Sequence, residues 1–249
     1  MPRLSSQIAI SLLSRHMGPI AVSWLTALFS EILQTGNLPK EFKLAKVIAI
    51  LKPGKSDDQP ENYRPIALLS CVYKLLERLI LIRIEPYLDA VTPPEQAGFR
   101  RGRNCVDQVL ALTNHIEGGF QNKMKSTAVF IDLTAAYDTV WTQGLMYKLM
   151  SVVPSREVCD LVSNMLNQRQ FEVFLGQDKS RKRKLDNGLP QGSVLAPQLF
   201  NLYIHDLPST TAAKFIYADD IALVTQSRDF STGETILTSD LKVLSKYFE

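Results

Sequence analysis

Three aspartates differ from the other acids of this 249-residue chain in what flanks them. Asp132 follows the apolar run Ala128-Val-Phe-Ile131. Asp219 and Asp220 lie between Phe215-Ile-Tyr-Ala218 and Ile221-Ala-Leu-Val224. Burying a lone carboxylate costs on the order of several kcal/mol unless a cation or donor compensates it. Three acids at the ends or turns of apolar strands therefore ask for a shared counter-charge. Divalent metal answers that need, and carboxylate-held metal ions serve in-line displacement at phosphorus. Successive strand residues point to opposite faces, but at a hairpin turn two neighbouring acids can approach one site. An antiparallel strand ending at Asp132 would bring in the third. The structural alternative for the same residues is a polar turn at Asp219-Asp220 and a helix N-cap at Asp132.

Those acids need strands and helices to hold them. Thr127 to Asp132 reads as a buried strand ending in an acid, and Phe215 to Leu223 as a strand–turn–strand. A further strand runs over Lys46 to Leu51 and stops at Lys-Pro-Gly-Lys, before a polar loop from Ser56 to Asn62. The first forty residues read as helical, with Val22, Leu25, Phe29 and Ile32 on one stripe and Gly36 and Pro39 as stops. Ser70 to Leu88 predicts an amphipathic helix on the stripe Val72, Leu75, Leu76, Leu79, Arg83 and Tyr87. Helices are also expected from Cys105 to about Phe120, from near Thr134, over Pro154 to Asn167, over Val194 to His205 and from Ser239 onward. Gln170 to Leu185 reads as a hairpin with a strongly basic second arm.

Composition excludes several classes. Hydrophobic residues make up 45% and charged residues 21%, with a mean hydropathy of −0.02, which is globular and not disordered. The longest uncharged apolar stretch, Ile20 to Ser30, is far short of the roughly 18–20 residues a membrane helix needs. No signal peptide is visible, so an intracellular protein, in cytoplasm or nucleus, is expected. Three scattered cysteines disfavour a disulfide scaffold and a zinc site. Residues 1–103 hold 14 of the 28 Lys/Arg and 9 of the 25 Asp/Glu, so the front of the chain is basic and the back acidic. That distribution suits gripping phosphates with one part and metal ions with another.

Six segments together carry a resemblance. Phe215-Ile-Tyr-Ala-Asp-Asp-Ile-Ala222 resembles the YADD motif of reverse transcriptases. Ala128 to Trp141 resembles their first acidic motif, and Asn187-Gly-Leu-Pro-Gln-Gly-Ser193 the LPQG segment between the two. Ile50-Leu-Lys-Pro-Gly-Lys55, Tyr63-Arg-Pro-Ile-Ala-Leu-Leu-Ser70 and Gln96-Ala-Gly-Phe-Arg100 are similar to motifs of the fingers. In order and spacing the set is similar to the polymerases of non-LTR, LINE-like retrotransposons, especially the jockey-like group.

The resemblance implies an α+β fold, a right-hand polymerase palm and fingers. Residues 1–45 would form a helical segment before the fingers, and 46–249 the reverse transcriptase domain. The chain stops in the helix after the acidic hairpin, which implies that the thumb is absent. Asp132, Asp219 and Asp220 would bind two Mg²⁺ ions, or Mn²⁺, with the Leu133 carbonyl as a further contact. Tyr137 would be the steric gate against the sugar C2′. Gln191 and Gly192 would lie against the incoming nucleotide and template, and Lys52 and Arg64 would grip the triphosphate. Arg100, Arg101, Arg103 and the cluster Arg181, Lys182, Arg183 and Lys184 would follow template or primer phosphates. The expected partners are an RNA template, a DNA primer and dNTP, with no membrane and no protein partner. The implied function is RNA-directed DNA synthesis of a mobile element; the alternative is a truncated, catalytically silent nucleic-acid-binding remnant. A viral RNA-directed RNA polymerase fits less well, since such enzymes carry Gly-Asp-Asp and a polar residue where Tyr137 stands.

Overall fold

A computed structural model describes residues 17–249; the part of the helical expectation that falls on residues 1–16 lies outside them. The chain forms two compact units. The first combines the described residues up to Tyr87 with Tyr137–Ala196, and the second combines Leu88–Ala136 with Pro197–Glu249.

The first unit starts with helix α1, Pro19–Thr35, which buries Leu25, Phe29 and Ile32 and leaves Val22 exposed. Pro19 suits a first helical turn, and Gly36 at φ 71° supplies the left-handed C-cap, its N–H bonded to the Ile32 carbonyl. Strand β1, Leu44–Leu51, pairs antiparallel with β2, Tyr63–Leu68. The sequence led only to a loop entering Tyr63-Arg-Pro. A strand holds Pro65 because β2 is at the edge of the sheet, where a missing N–H disrupts no second ladder.

Helix α2, Cys71–Val91, forms as expected, but its buried face is not the anticipated stripe. Tyr73, Leu76, Glu77, Ile80 and Ile84 are buried, whereas Leu79 and Tyr87 are exposed at 39% and 43%. Arg78, Ile82 and Arg83 lie on its exposed side, and the buried Glu77 meets partners at Ser193 and Val194. Beyond the second unit's segments follow α4, Thr142–Val152, and α5, Arg156–Leu166, the latter capped by Ser155. Strand β4, Arg169–Leu175, runs parallel to β1. Its antiparallel partner is split into β5, Asp178–Lys179, and β6, Arg183–Leu185, which carries half of the basic cluster.

No helix begins at Thr134. Residues 134–139 are turns, and Ala135 takes φ 50°. The Tyr137 and Val140 carbonyls are occupied by the N–H groups of Leu189 (2.7 Å) and Gly188 (2.9 Å), which removes them from a helical ladder.

The second unit is built on a three-stranded antiparallel sheet in the order β3, Lys125–Ile131; β8, Asp220–Ser227; β7, Ala213–Tyr217. Five consecutive residues of the central strand, Ile221 to Thr225, are buried, as a strand covered on both faces requires. Helix α3, Cys105–Gln121, packs on β7 and β3 and starts from a capping box between Asn104 and Asp107. Helix α6, Ala196–Tyr203, precedes β7. Helix α7, Phe230–Phe248, packs on β8 and β3 and begins nine residues before the expected Ser239. Asp229 caps it, accepting from the Thr232 N–H (2.7 Å). Gly233, a helix breaker on propensity, lets α7 approach β3: a Cβ there would lie 2.6 Å from Thr127 Oγ1. Among the described residues no helix is long and apolar enough to cross a membrane.

Candidate active site

The three aspartates belong to the second unit and to one end of its sheet. The β3–β8 ladder ends at Ile131↔Ile221, so Asp132 is one step past it on one strand and Asp220 one step before it on the other. Tyr217↔Asp220 closes the β7–β8 hairpin, leaving Ala218 and Asp219 as the turn. Asp132 and Asp220 are exposed and Asp219 is half-buried. Desolvation holds the Asp220 carboxyl above its ordinary value, and the charges of Asp219 and Asp132 raise it further. The carboxylates thus act on one another as like charges at one site.

No ion pair to any of the three exists among the described residues. A set of hard oxygen donors without a protein counter-charge fits a divalent cation. The three are not drawn into a closed ligand set: among the described residues, no three His, Cys, Asp or Glu side chains are gathered so as to hold a metal. A cation would have to pull these carboxylates together against their repulsion.

The turn that carries Asp219 is held from outside the sheet by residues that the sequence pointed to only for their arginines. Gln96, 1% exposed, uses its side-chain Oε1 to accept from the Ala218 N–H (2.9 Å) and the Gly98 N–H (2.7 Å), and its Nε2 donates to the Ala218 carbonyl (3.0 Å). The Ala97 N–H and the Glu95 carbonyl add a parallel bridge to Ile216 on the outer edge of β7. Gly98 is required by close approach, since a Cβ there would meet the Ala218 nitrogen at 2.1 Å. From α6, Asn201 donates to the Gly98 carbonyl (3.0 Å) and Gln198 to the Phe99 carbonyl (2.7 Å). Three buried amide side chains in one turn region were the available signal, visible in sequence only as scattered Gln and Asn.

The expected phosphate contacts in this unit have mixed surroundings. The Arg100 guanidinium donates to the carbonyls of Pro93 (3.1 Å) and Gln96 (3.4 Å), and Arg103 to that of Pro94 (3.1 Å), so both brace their own loop. Arg101 is exposed, and Leu133 is half-buried immediately after Asp132.

The remaining candidates lie in the first unit. Lys52 ends the β1 side of the β1–β2 hairpin with its Nζ on the Glu61 carbonyl (2.8 Å), and Arg64, exposed, pairs with Ile50 across it. Tyr137 is half-buried, with its carbonyl on the loop that carries Gln191 and Gly192. Both of those are exposed. The Gln191 carbonyl accepts from the Ala67 N–H (3.1 Å), and Gly192 takes φ 112° where a Cβ would lie 2.5 Å from the Ala67 carbonyl oxygen. Only glycine suits that position. Arg181, Lys182, Arg183 and Lys184 are all exposed on the split second arm of β4.

Comparison with known proteins matches these elements to one family. Residues 50–248 match the model of the family described as "Reverse transcriptase (RNA-dependent DNA polymerase)". The chain is 38% identical over 218 residues to the "Probable RNA-directed DNA polymerase from transposon BS" of Drosophila melanogaster, covering 83% of this chain and 24% of that protein. It is 32% identical over 240 residues to the "RNA-directed DNA polymerase from mobile element jockey" of the same organism, covering 92% and 26%. The chain therefore spans about a quarter of the length of the curated relatives it matches. A solved telomerase structure from Candida tropicalis superposes with a TM-score of 0.57 at 12% identity, over 89% of this chain and 52% of the other, which is a likeness of fold. With its mixed helices and sheets and its matched motifs, the chain belongs to the reverse transcriptase family.

Proposed function

We propose that this chain carries out RNA-directed DNA synthesis for a mobile element, adding deoxynucleotides to a primer 3′-hydroxyl along an RNA template. The observation that supports it most is the meeting of Asp132, Asp219 and Asp220 at one end of one sheet with no cationic partner among the described residues, where desolvation and then the charges of Asp219 and Asp132 raise the Asp220 carboxyl. Two Mg²⁺ ions, or Mn²⁺, held by these three carboxylates with the Leu133 carbonyl, would supply positive charge that lowers the pKa of the 3′-hydroxyl and neutralises the leaving oxygens.

The protein's own groups would do the rest. Gln191 and Gly192 lie on an exposed loop whose backbone is pinned to β2, so a nucleotide would meet a fixed surface there. Arg64 presents a planar fork suited to triphosphate oxygens, and Lys52 a nearby point charge. The Tyr137 ring would exclude the ribose 2′-hydroxyl and so favour dNTP. Arg181, Lys182, Arg183 and Lys184 would track a phosphate backbone without reading sequence, with Arg101, Arg100 and Arg103 as lesser contributors. In the same reading, residues 46–249 act as the polymerase domain and the segment before them as its N-terminal support.

Primer extension on poly(rA)/oligo(dT), with and without Mg²⁺, tests the proposal beside a filter-binding assay. Metal-dependent incorporation of dTTP is the expected result. Retention of primer–template with no extension in Mg²⁺ or Mn²⁺ would replace polymerase with a nucleic-acid-binding module.

A further inference from the structure

Two buried ionisable side chains of the first unit have no role in the chemistry above, yet both are committed to one loop. Glu77 on α2 is 2% exposed. Its carboxylate accepts from the Ser193 hydroxyl and from the Val194 N–H (2.8 Å). The Ser193 hydroxyl oxygen accepts in turn from the Leu195 and Ala196 N–H groups, 3.1 Å each, where the chain turns into α6. Arg169 at the start of β4 is 7% exposed. Its Nη2 donates to the carbonyls of Asn187 (3.1 Å) and Gly188, and its Nε to that of Leu166 (3.1 Å).

The loop from 187 to 194 is therefore anchored at entry by a guanidinium and at exit by a carboxylate. Between them the Leu189 N–H donates to Tyr137 and the Ala67 N–H to Gln191. Past Asn187, the exposed residues of this loop are Gln191 and Gly192 at its tip. A core that needed nothing but packing would hold leucine at position 77, because replacing a buried ion with a well-packed apolar residue is often neutral or stabilising. Burial does disfavour the Glu77 anion, with the Ser193 and Val194 hydrogen bonds and Lys74 opposing that effect. What a leucine lacks is direction. A carboxylate accepting two hydrogen bonds from adjacent residues fixes both the position and the orientation of the strand of chain it holds.

We propose that Glu77 and Arg169 are positioning residues that clamp the two ends of the 187–194 loop and thereby present Gln191 and Gly192 to the incoming nucleotide in one conformation. This rests on the reading of those two residues as nucleotide contacts.

The test uses the whole 249-residue chain with Glu77→Leu, Glu77→Gln and Arg169→Met. The first readout, amide hydrogen exchange, needs no activity. Peptides covering 187–195 should exchange about tenfold faster in Glu77→Leu, less so in Glu77→Gln, with α5 unchanged. The second readout is steady-state extension. The KM for dNTP should rise about tenfold with kcat changed much less and primer–template affinity unchanged, and Glu77→Gln should recover part of the loss. Uniformly faster exchange, or unaltered exchange at 187–195, would overturn the clamp. Loss in kcat alone would overturn its role toward the nucleotide. If Glu77→Leu fails to fold, Glu77→Gln and Arg169→Met carry the same comparison. A wild-type chain that extends no primer would defeat the polymerase reading, while the exchange pattern would still decide the clamp.

Discussion

The Gln96 side-chain amide grips Ala218 on both sides, taking its N–H at 2.9 Å and giving to its carbonyl at 3.0 Å. Ala218 sits at φ 61°, a conformation that a residue with a Cβ adopts only when its surroundings impose it. The conformation of the Asp219 turn is thus imposed by a glutamine more than a hundred positions earlier in the chain.

Replacing Gln96 with alanine should leave two buried backbone groups of Ala218 and the Gly98 N–H without partners. Each such group costs about 1–3 kcal/mol, so urea denaturation should show a loss of at least ~2 kcal/mol. Extension should fall further than the remaining folded fraction accounts for. Gly98→Ala should behave as severely, because its Cβ would meet backbone and not a movable side chain.

The acid cluster predicts opposite effects on stability and activity. Asp219→Asn removes a like charge acting on Asp220, so in EDTA its melting temperature should equal or exceed that of the wild type. The same substitution should abolish the stabilisation that Mg²⁺ or Mn²⁺ gives the wild type, and lower extension by about a hundredfold or more. A variant stabilised by metal as much as the wild type would separate the cluster from metal binding.

Glu77 makes stability fall with rising pH. Burial pushes its carboxyl up to about 7 from an ordinary 4.5, so the folded state binds its proton more tightly than the unfolded chain. The contribution is complete below about pH 4.5 and is lost as pH rises through about 7, on the order of 3 kcal/mol in all. Glu77→Gln should flatten that decline, and its stability relative to wild type should increase across the window. Parallel urea midpoints for the two proteins between pH 4.5 and 7.5 would contradict the raised carboxyl.

Tyr137→Ala should admit ribonucleotides, with the rNTP to dNTP ratio of kcat/KM rising at least about tenfold and dNTP use reduced only modestly. Unchanged discrimination would give Tyr137 a packing role in place of the steric gate.

The basic arm predicts a salt effect. Replacing Arg181, Lys182, Arg183 and Lys184 with glutamine should weaken primer–template binding equally across sequences. The slope of log K against log salt should become shallower by about 1 to 3, as each lost duplex phosphate contact contributes about 0.9. An unaltered slope would remove this arm from the nucleic-acid path.

What the sequence determined by itself was local in origin. Asp132 and Asp219-Asp220 were legible because they flank apolar runs, and β3, β7 and β8 followed from the same runs. Yet β3 is not the buried strand those runs led to: none of residues 127–132 is buried, and Asp132 is exposed because β3 is an edge strand of its sheet. The spans of α1, α3 and α5 were legible, and for α1 the stripe residues Leu25, Phe29 and Ile32 are the ones buried. Tertiary structure decided what depends on partners distant in the chain. Residues 134–139 are turns because the Tyr137 and Val140 carbonyls serve Leu189 and Gly188. Helix α2 buries a different face from its anticipated stripe, one that carries Glu77 to Ser193 and Val194, 116 and 117 positions away. Helix α7 runs through Gly233 because close packing on Thr127 offsets a weak intrinsic propensity. Gln96 shows the same limit: an amide's two hydrogen-bonding ends carry no periodicity, and its value appears only when folding places Ala218 between them.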